Sequence, residues 1–144
     1  MILVWAAPLL ASGVAAVWDW RTGLIPYAIS GTTAGAAALL MMAGGLPWTH
    51  LLWGIGTWAA LEGATAWHWD HFGAGDTTLF GALACWLGPF ILPLIALTAL
   101  VNLGRAGMQW AGGQGWPSVL RLGPSIAVAT LTLTTVAWWL AHAG

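Results

Sequence analysis

Few residues in this 144-residue chain have chemistry to offer, because only 5% are charged and 60% are hydrophobic. Asp76 stands out among them. It follows two glycines in Gly73-Ala74-Gly75-Asp76-Thr77-Thr78-Leu79 and opens an apolar segment. An ionisable side chain at membrane depth costs at least ~2.5–3.5 kcal/mol on insertion scales, so a carboxylate in that setting is read as functional by default. Gly73 and Gly75 have no Cβ, so they let another peptide approach the acid and permit turns closed to other residues. A turn with Asp76 as N-cap of the next helix accounts for the same residues without chemistry. The second acid, Asp19, closes the first apolar run and adds a chemical reading. Two carboxylates held close together do not both ionise cheaply. One keeps a proton while the other acts as base, an arrangement that activates water against a peptide bond without a metal. Spacing alone is equally satisfied by two interfacial acids, Asp19 paired with Arg21 and Asp76 capping a helix, each contributing little.

The elements that position these acids are apolar runs. The composition places the chain in a bilayer and its length makes it a single domain, residues 1–144. There is no lysine, and the only cations besides histidine are Arg21, Arg105 and Arg121. That excludes a basic nucleic-acid surface. Cys85 is alone, which excludes an internal disulfide framework and a cysteine-based zinc site. The first eighteen residues lack a basic start and run directly into Asp19 and Arg21, so they are read as mature protein and not as a secretory signal.

Crossing a hydrocarbon core of ~30 Å takes about 20 apolar residues. Six runs are candidates: Ile2 to Trp18, Tyr27 to Gly45, Trp48 to Trp67, Asp76 to Leu87, Phe90 to Leu103, and Gly123 to about Ala141. Pro26 biases Ile25 away from helix and separates the first two. Gly31-Thr32-Thr33-Ala34-Gly35 has the small-residue spacing that lets helix backbones pack closely. Trp48 and Trp67 suit interfacial anchoring of the third run. The fourth run is only about 18 Å long as a helix, and Gly88-Pro89 separates it from the fifth, so one long kinked helix competes with two separate crossings. Six crossings put the loops holding all three arginines on one face, as the positive-inside rule prefers. The expectation is therefore an all-α, polytopic membrane protein with about six transmembrane helices. Both termini lie away from the cytoplasm, and a Gly- and Trp-bearing loop from Met108 to Leu122 precedes the last helix.

Two segments carry a family resemblance. Asp19-Trp20-Arg21-Thr22-Gly23-Leu24-Ile25-Pro26 resembles the D-x-R-x-x-x-I-P segment of prepilin peptidases, and Gly73-Ala74-Gly75-Asp76 resembles their GxGD signature. Leu79 to Gly88 continues the likeness, which returns in Arg121-Leu122-Gly123-Pro124 before the last run. The resemblance implies catalytic roles for Asp19 and Asp76 at the inner ends of the first and fourth of six helices. Gly73, Gly75, Arg21, Pro26 and Thr78 are implied as supporting or substrate-binding residues. The implied activity is that of an aspartic endopeptidase of the inner (cytoplasmic) membrane. It removes the leader of a type IV prepilin-like precursor at the cytoplasmic face, with no metal and no other cofactor. Its partners are then that precursor and the lipid bilayer, with no nucleic acid; nothing in the sequence sets an oligomeric state. Tyr27 stands where the family often has Asn after Ile-Pro, and Thr78 where it often has Lys. The cysteine cluster of the larger N-methylating members has no counterpart here, so the short peptidase-only forms of tight-adherence and preflagellin systems are the nearer likeness.

The remaining polar residues carry less. Glu62 lies about 7–8 Å along a helix from the inner end of the third run, close enough to snorkel or to touch the acid pair. His68, Asp70 and His71 have metal-ligand spacing, with the two histidines three apart, but an interfacial loop explains them more simply. His50 and His142 sit near the opposite face. Asn102 is expected to donate a hydrogen bond between helices. No His-Glu-x-x-His run offers zinc and no Gly-x-Ser-Gly run offers a serine nucleophile. A reading of another class remains: a six-helix transporter or non-catalytic assembly protein using Asp19, Glu62 and Asp76 as a proton or cation path.

Overall fold

The computed structural model describes residues 2–67, 73–113 and 121–142, with side chains from residue 5 onward. The described residues are helical, with no strand. Six α-helices follow one another: α1 (Ile2–Thr22), α2 (Tyr27–Met42), α3 (Thr49–Ala66), α4 (Ala74–Leu87), α5 (Ile91–Ala111) and α6 (Leu122–His142). A single 3-10 turn, Gly88–Phe90, joins α4 to α5. Two stretches are long and apolar enough to cross a membrane by length and composition, Ala74–Ala111 and Leu122–His142.

Local chemistry explains where these helices stop. α1 runs four residues past the expected Trp18, so Asp19 lies in its last turn and not beyond it. Gly23 then takes a left-handed conformation, φ 73°, and donates its N–H to the Asp19 carbonyl at 2.8 Å, a turn open to glycine for want of a Cβ. Pro26 follows, with φ −65° and ψ 135°, and starts α2 without needing an N–H to donate. α2 stops at Met42, short of the expected Gly45, because Gly44 turns the chain at φ 75°. α5 outlasts the expected Leu103 by two turns, so the following loop begins at Gly112 and not at Met108; residues 114–120 of that loop lie outside the described residues.

α4 is the central rod. From Leu79 to Gly88 every residue is buried, so this helix has no face for lipid or water. α2 and α3 lie against it, and α6 packs chiefly on α1 and α5. The molecule is thus two three-helix groups, α2–α3–α4 and α1–α5–α6, which meet along a narrower boundary. Phe80, Leu83, Ile91, Leu94 and Ile126 form the centre of the core.

The expected close packing at Gly31 and Gly35 does not occur. Both are exposed, with open space where a Cβ would be, and α2 instead buries Ser30, Thr33, Ala37 and Met41. α2 is apolar all round, so no period selects a face; the indole of Trp86, donating to the Thr33 carbonyl at 2.8 Å, ties one face to α4. The close approach belongs to α3 and α4. A Cβ on Gly81 would lie 2.8 Å from that of Trp58, and one on Gly54 would run into the Cys85 sulfur.

The chain turns back at Gly88. A straight helix would carry Arg105 about 43 Å from Asp76. Instead Arg105 meets the Arg121 carbonyl, and the Arg121 side chain meets the Trp20 carbonyl beside Asp19. One end of the molecule therefore gathers the C-terminal ends of α1, α3 and α5 with the N-terminal ends of α2, α4 and α6. At the other end His50 hydrogen-bonds the Trp86 carbonyl at 3.1 Å, and Trp5 meets Phe90 edge-on at 6.2 Å.

Candidate functional site

Asp76 is the third residue of α4, not its N-cap. Gly73 is the cap, and its N–H donates back to Asp76 Oδ2 at 3.1 Å, so the carboxylate satisfies one of the amides that a helix start leaves unpaired. Gly75 serves a different purpose. A Cβ there would sit 2.5 Å from the Ile25 carbonyl oxygen and 3.1 Å from the Ile25 side chain. The peptide admitted by this glycine is the chain's own Ile25-Pro26, which brings the two sequence segments into contact.

Asp19 is 4% exposed. Its Oδ2 accepts the N–H of Gly123, in the first turn of α6, at 3.0 Å. A Cβ on Gly123 would lie 2.8 Å from the Asp19 Cβ and 2.9 Å from Oδ2, so the two helices meet here without spare room. The carboxylate is thereby set at the positive end of a 21-residue helix. Arg21 is two residues along α1, which on a helix is the opposite side, and it is exposed. The pairing of Asp19 with Arg21 gives way to a backbone amide. Asp19 and Asp76 stand at the same end of the molecule, one in the last turn of α1 and the other in the first turn of α4.

Other expected site residues surround the start of α4. Glu62 reaches Thr77, not Asp76: the Thr77 hydroxyl donates to Glu62 Oε2 at 2.8 Å, joining the end of α3 to the residue beside the acid. Thr78 approaches Ser30 of α2 at 3.3 Å and lies at 3.0 Å from both the Ala74 and Gly75 carbonyls. Pro26 is half-buried at the head of α2, near the Gly75 contact. Beyond Thr78 an apolar groove of about 400 Å³ runs between α2 and α3, with Gly81, Ala82 and Cys85 of α4 as its floor. His68, Asp70 and His71 lie outside the described residues.

Two contributors escaped the sequence reading. Thr77 and Gly123 were not singled out, although Gly123 stood inside the noted Arg121-Leu122-Gly123-Pro124 segment; a backbone amide leaves no side-chain signature to read. Asn102 accepts where it was expected to donate: the Ser125 hydroxyl donates to its Oδ1 at 2.7 Å, and Asn102 Nδ2 is buried without a partner among the described residues.

Two acids of limited exposure, each holding one backbone amide and both at one end of the molecule, have the makings of an acid–base pair. No protein-family model, curated protein or solved structure matches the chain.

Proposed function

We propose that the chain is an aspartic endopeptidase of the inner membrane, similar to prepilin peptidases, with six crossings and its acid pair at the cytoplasmic face. The observation that carries the reading is the meeting of two segments some fifty residues apart in sequence: Ile25 lies on Gly75, which sets the segment of Asp19 against the segment of Asp76. Two features support the membrane topology. All three arginines gather at the end that holds the acids, through the contacts of Arg105 with Arg121 and of Arg121 with Trp20. Apolar side chains also point outward on helices beyond the two longest stretches, with Leu39 of α2 at 68% and Leu52 of α3 at 71% exposure, a surface suited to lipid.

In this reading one carboxylate is ionised and takes a proton from water as the water oxygen attacks the scissile carbonyl carbon. The other carboxylic acid gives its proton to the carbonyl oxygen. Collapse of the tetrahedral diol breaks the C–N bond: the carboxyl that took the water proton gives it to the leaving nitrogen, and a diol hydroxyl returns a proton to the other carboxylate. The substrate is the leader of a type IV prepilin-like precursor, with the apolar segment after the leader lying in the groove beside Thr78. No metal or other cofactor takes part.

Co-expression with a prepilin-like precursor from the same genome tests the proposal by a mobility shift. Asp19→Asn and Asp76→Asn each abolish cleavage while leaving a folded, inserted protein, because Asn keeps the side-chain shape but does not cycle a proton. Cleavage by the unaltered chain falls off on both the acidic and the alkaline side, with apparent values that belong to the pair. A monodisperse Asp76→Asn protein that cut the precursor at the native rate would rule out the acid pair and bring forward the carrier or assembly reading.

A further inference from the structure

The first turn of α6 is gripped from two sides. Gly123 and Ser125 are two residues apart, about 200° around the helix axis, so they face opposite neighbours. Gly123 gives its N–H to Asp19 on α1. Ser125, fully buried, gives its hydroxyl proton to Asn102 Oδ1 on α5 and accepts from Arg105 Nη1 at 3.2 Å. Arg105 Nη1 also lies 3.1 Å from the Arg121 carbonyl, just ahead of α6, and Arg121 in turn bonds the Trp20 carbonyl at 2.6 Å. The polar path therefore leads from α5 through the start of α6 to the residue next to Asp19.

Stability alone is a poor account of this path. Apolar side chains hold helices together without the desolvation that a buried Ser, Asn and half-buried Arg entail, and here Asn102 Nδ2 has no partner among the described residues as well. What the polar groups supply is direction. Their bonds fix the rotation and depth of the α6 first turn, and that turn decides where the Gly123 amide points. With Oδ2 of Asp19 held by that amide, Oδ1 is the oxygen left to exchange a proton.

We propose that Arg105 and Ser125, with Asn102, are positioning residues that aim the Gly123 amide at Asp19 and so set the orientation of that carboxylate. The proposal rests on the peptidase reading only for the consequence in catalysis; the orientation itself is measurable without it. In cleavage assays with the full chain, Ser125→Ala and Arg105→Gln lower kcat by about tenfold or more and leave KM nearly unchanged, since sub-ångström misplacement of a reacting group costs rate and not substrate contacts. Arg105→Lys recovers part of the loss, because one donor returns. Arg105 is half-exposed, so its variants serve if Ser125→Ala does not fold.

The second measurement uses amide NMR. Labelling leucine carbonyls with 13C and glycine nitrogens with 15N restricts the observed pairs to Gly88, Gly104 and Gly123, which all follow leucine. The Gly123 signal is the one displaced by Asp19→Asn. That displacement shrinks when Ser125→Ala or Arg105→Gln is already present, because the amide is then no longer aimed at Asp19. An Asp19→Asn displacement of the Gly123 signal as large in both variants as in the unaltered chain overturns the proposal, whatever the cleavage assay returns; so does an unchanged kcat in both. An unaltered chain that cuts no precursor, with a Gly123 signal that still depends on Arg105 and Ser125, overturns the peptidase reading and upholds the positioning of Asp19.

Discussion

Gly73 and Gly75 have identical side chains and opposite tolerances. Gly73 caps α4 at φ −71° and ψ 151°, a conformation open to any L-residue, and the nearest atom to an added Cβ is Asp76 Oδ2 at 3.2 Å. Gly75 meets a carbonyl of the main chain at 2.5 Å, which has no flexible end to swing aside. Gly75→Ala therefore destabilises the protein by about 1–3 kcal/mol through overpacking and spoils cleavage, whereas Gly73→Ala stays within about 1 kcal/mol. Thermal unfolding of the purified proteins checks the order, and equal losses at the two positions would refute the packing account. At this scale the sequence was half legible. Two acids in an apolar chain announce themselves by their cost, but the partner of Asp19 is an amide 104 residues away, and every residue but proline carries one.

The helix boundaries were legible where glycine and proline stand together. Gly23 with Pro26 and Gly88 with Pro89 mark breaks that the structure shows, whereas Gly44 ends α2 short of the expected Gly45. Which face of each helix turns inward was not legible, because a helix apolar on every side carries no periodic signal; Gly31 and Gly35 looked like the packing site while Gly54 and Gly81 held it. The break after α4 is the most constrained of these features. Gly88 sits at φ 56°, and an added Cβ would fall 2.6 Å from the His50 ring. Gly88→Ala should cost about 1–2 kcal/mol from the left-handed backbone alone, and more once His50 is displaced from the Trp86 carbonyl. An unfolding midpoint equal to that of the unaltered chain would show that the turn is not held in this form.

For the molecule as a whole, the up-and-down arrangement fixes which positions share a face. Leu24 and Gly112 belong to the end with the acids, and Trp48 to the end with His50. Single cysteines at these places in a Cys85→Ala background are expected to react with an impermeant thiol reagent from opposite sides, Leu24→Cys and Gly112→Cys from the cytoplasm and Trp48→Cys from the other face. Leu24→Cys and Gly112→Cys reacting from different sides would remove the independent fourth crossing. The arginines made this arrangement legible in outline, because charge bias is a property of loops and needs no knowledge of packing. The division into two groups of three helices left no such trace.

That division gives the acids separate carriers. Asp19 rides with α5 and α6, Asp76 with α2 and α3, and the covalent joints between the carriers, Gly23 to Pro26 and Gly88 to Phe90, each contain a left-handed glycine. The gap between the carboxylates is therefore a degree of freedom of the assembly, like the opening of a pair of tongs, and neither half determines it alone. Heat resistance reports how well each arm is built. In the proposed peptidase reading, turnover would report how far the jaws stand apart, and a change of surrounding lipid or the arrival of a substrate helix would alter the second without touching the first.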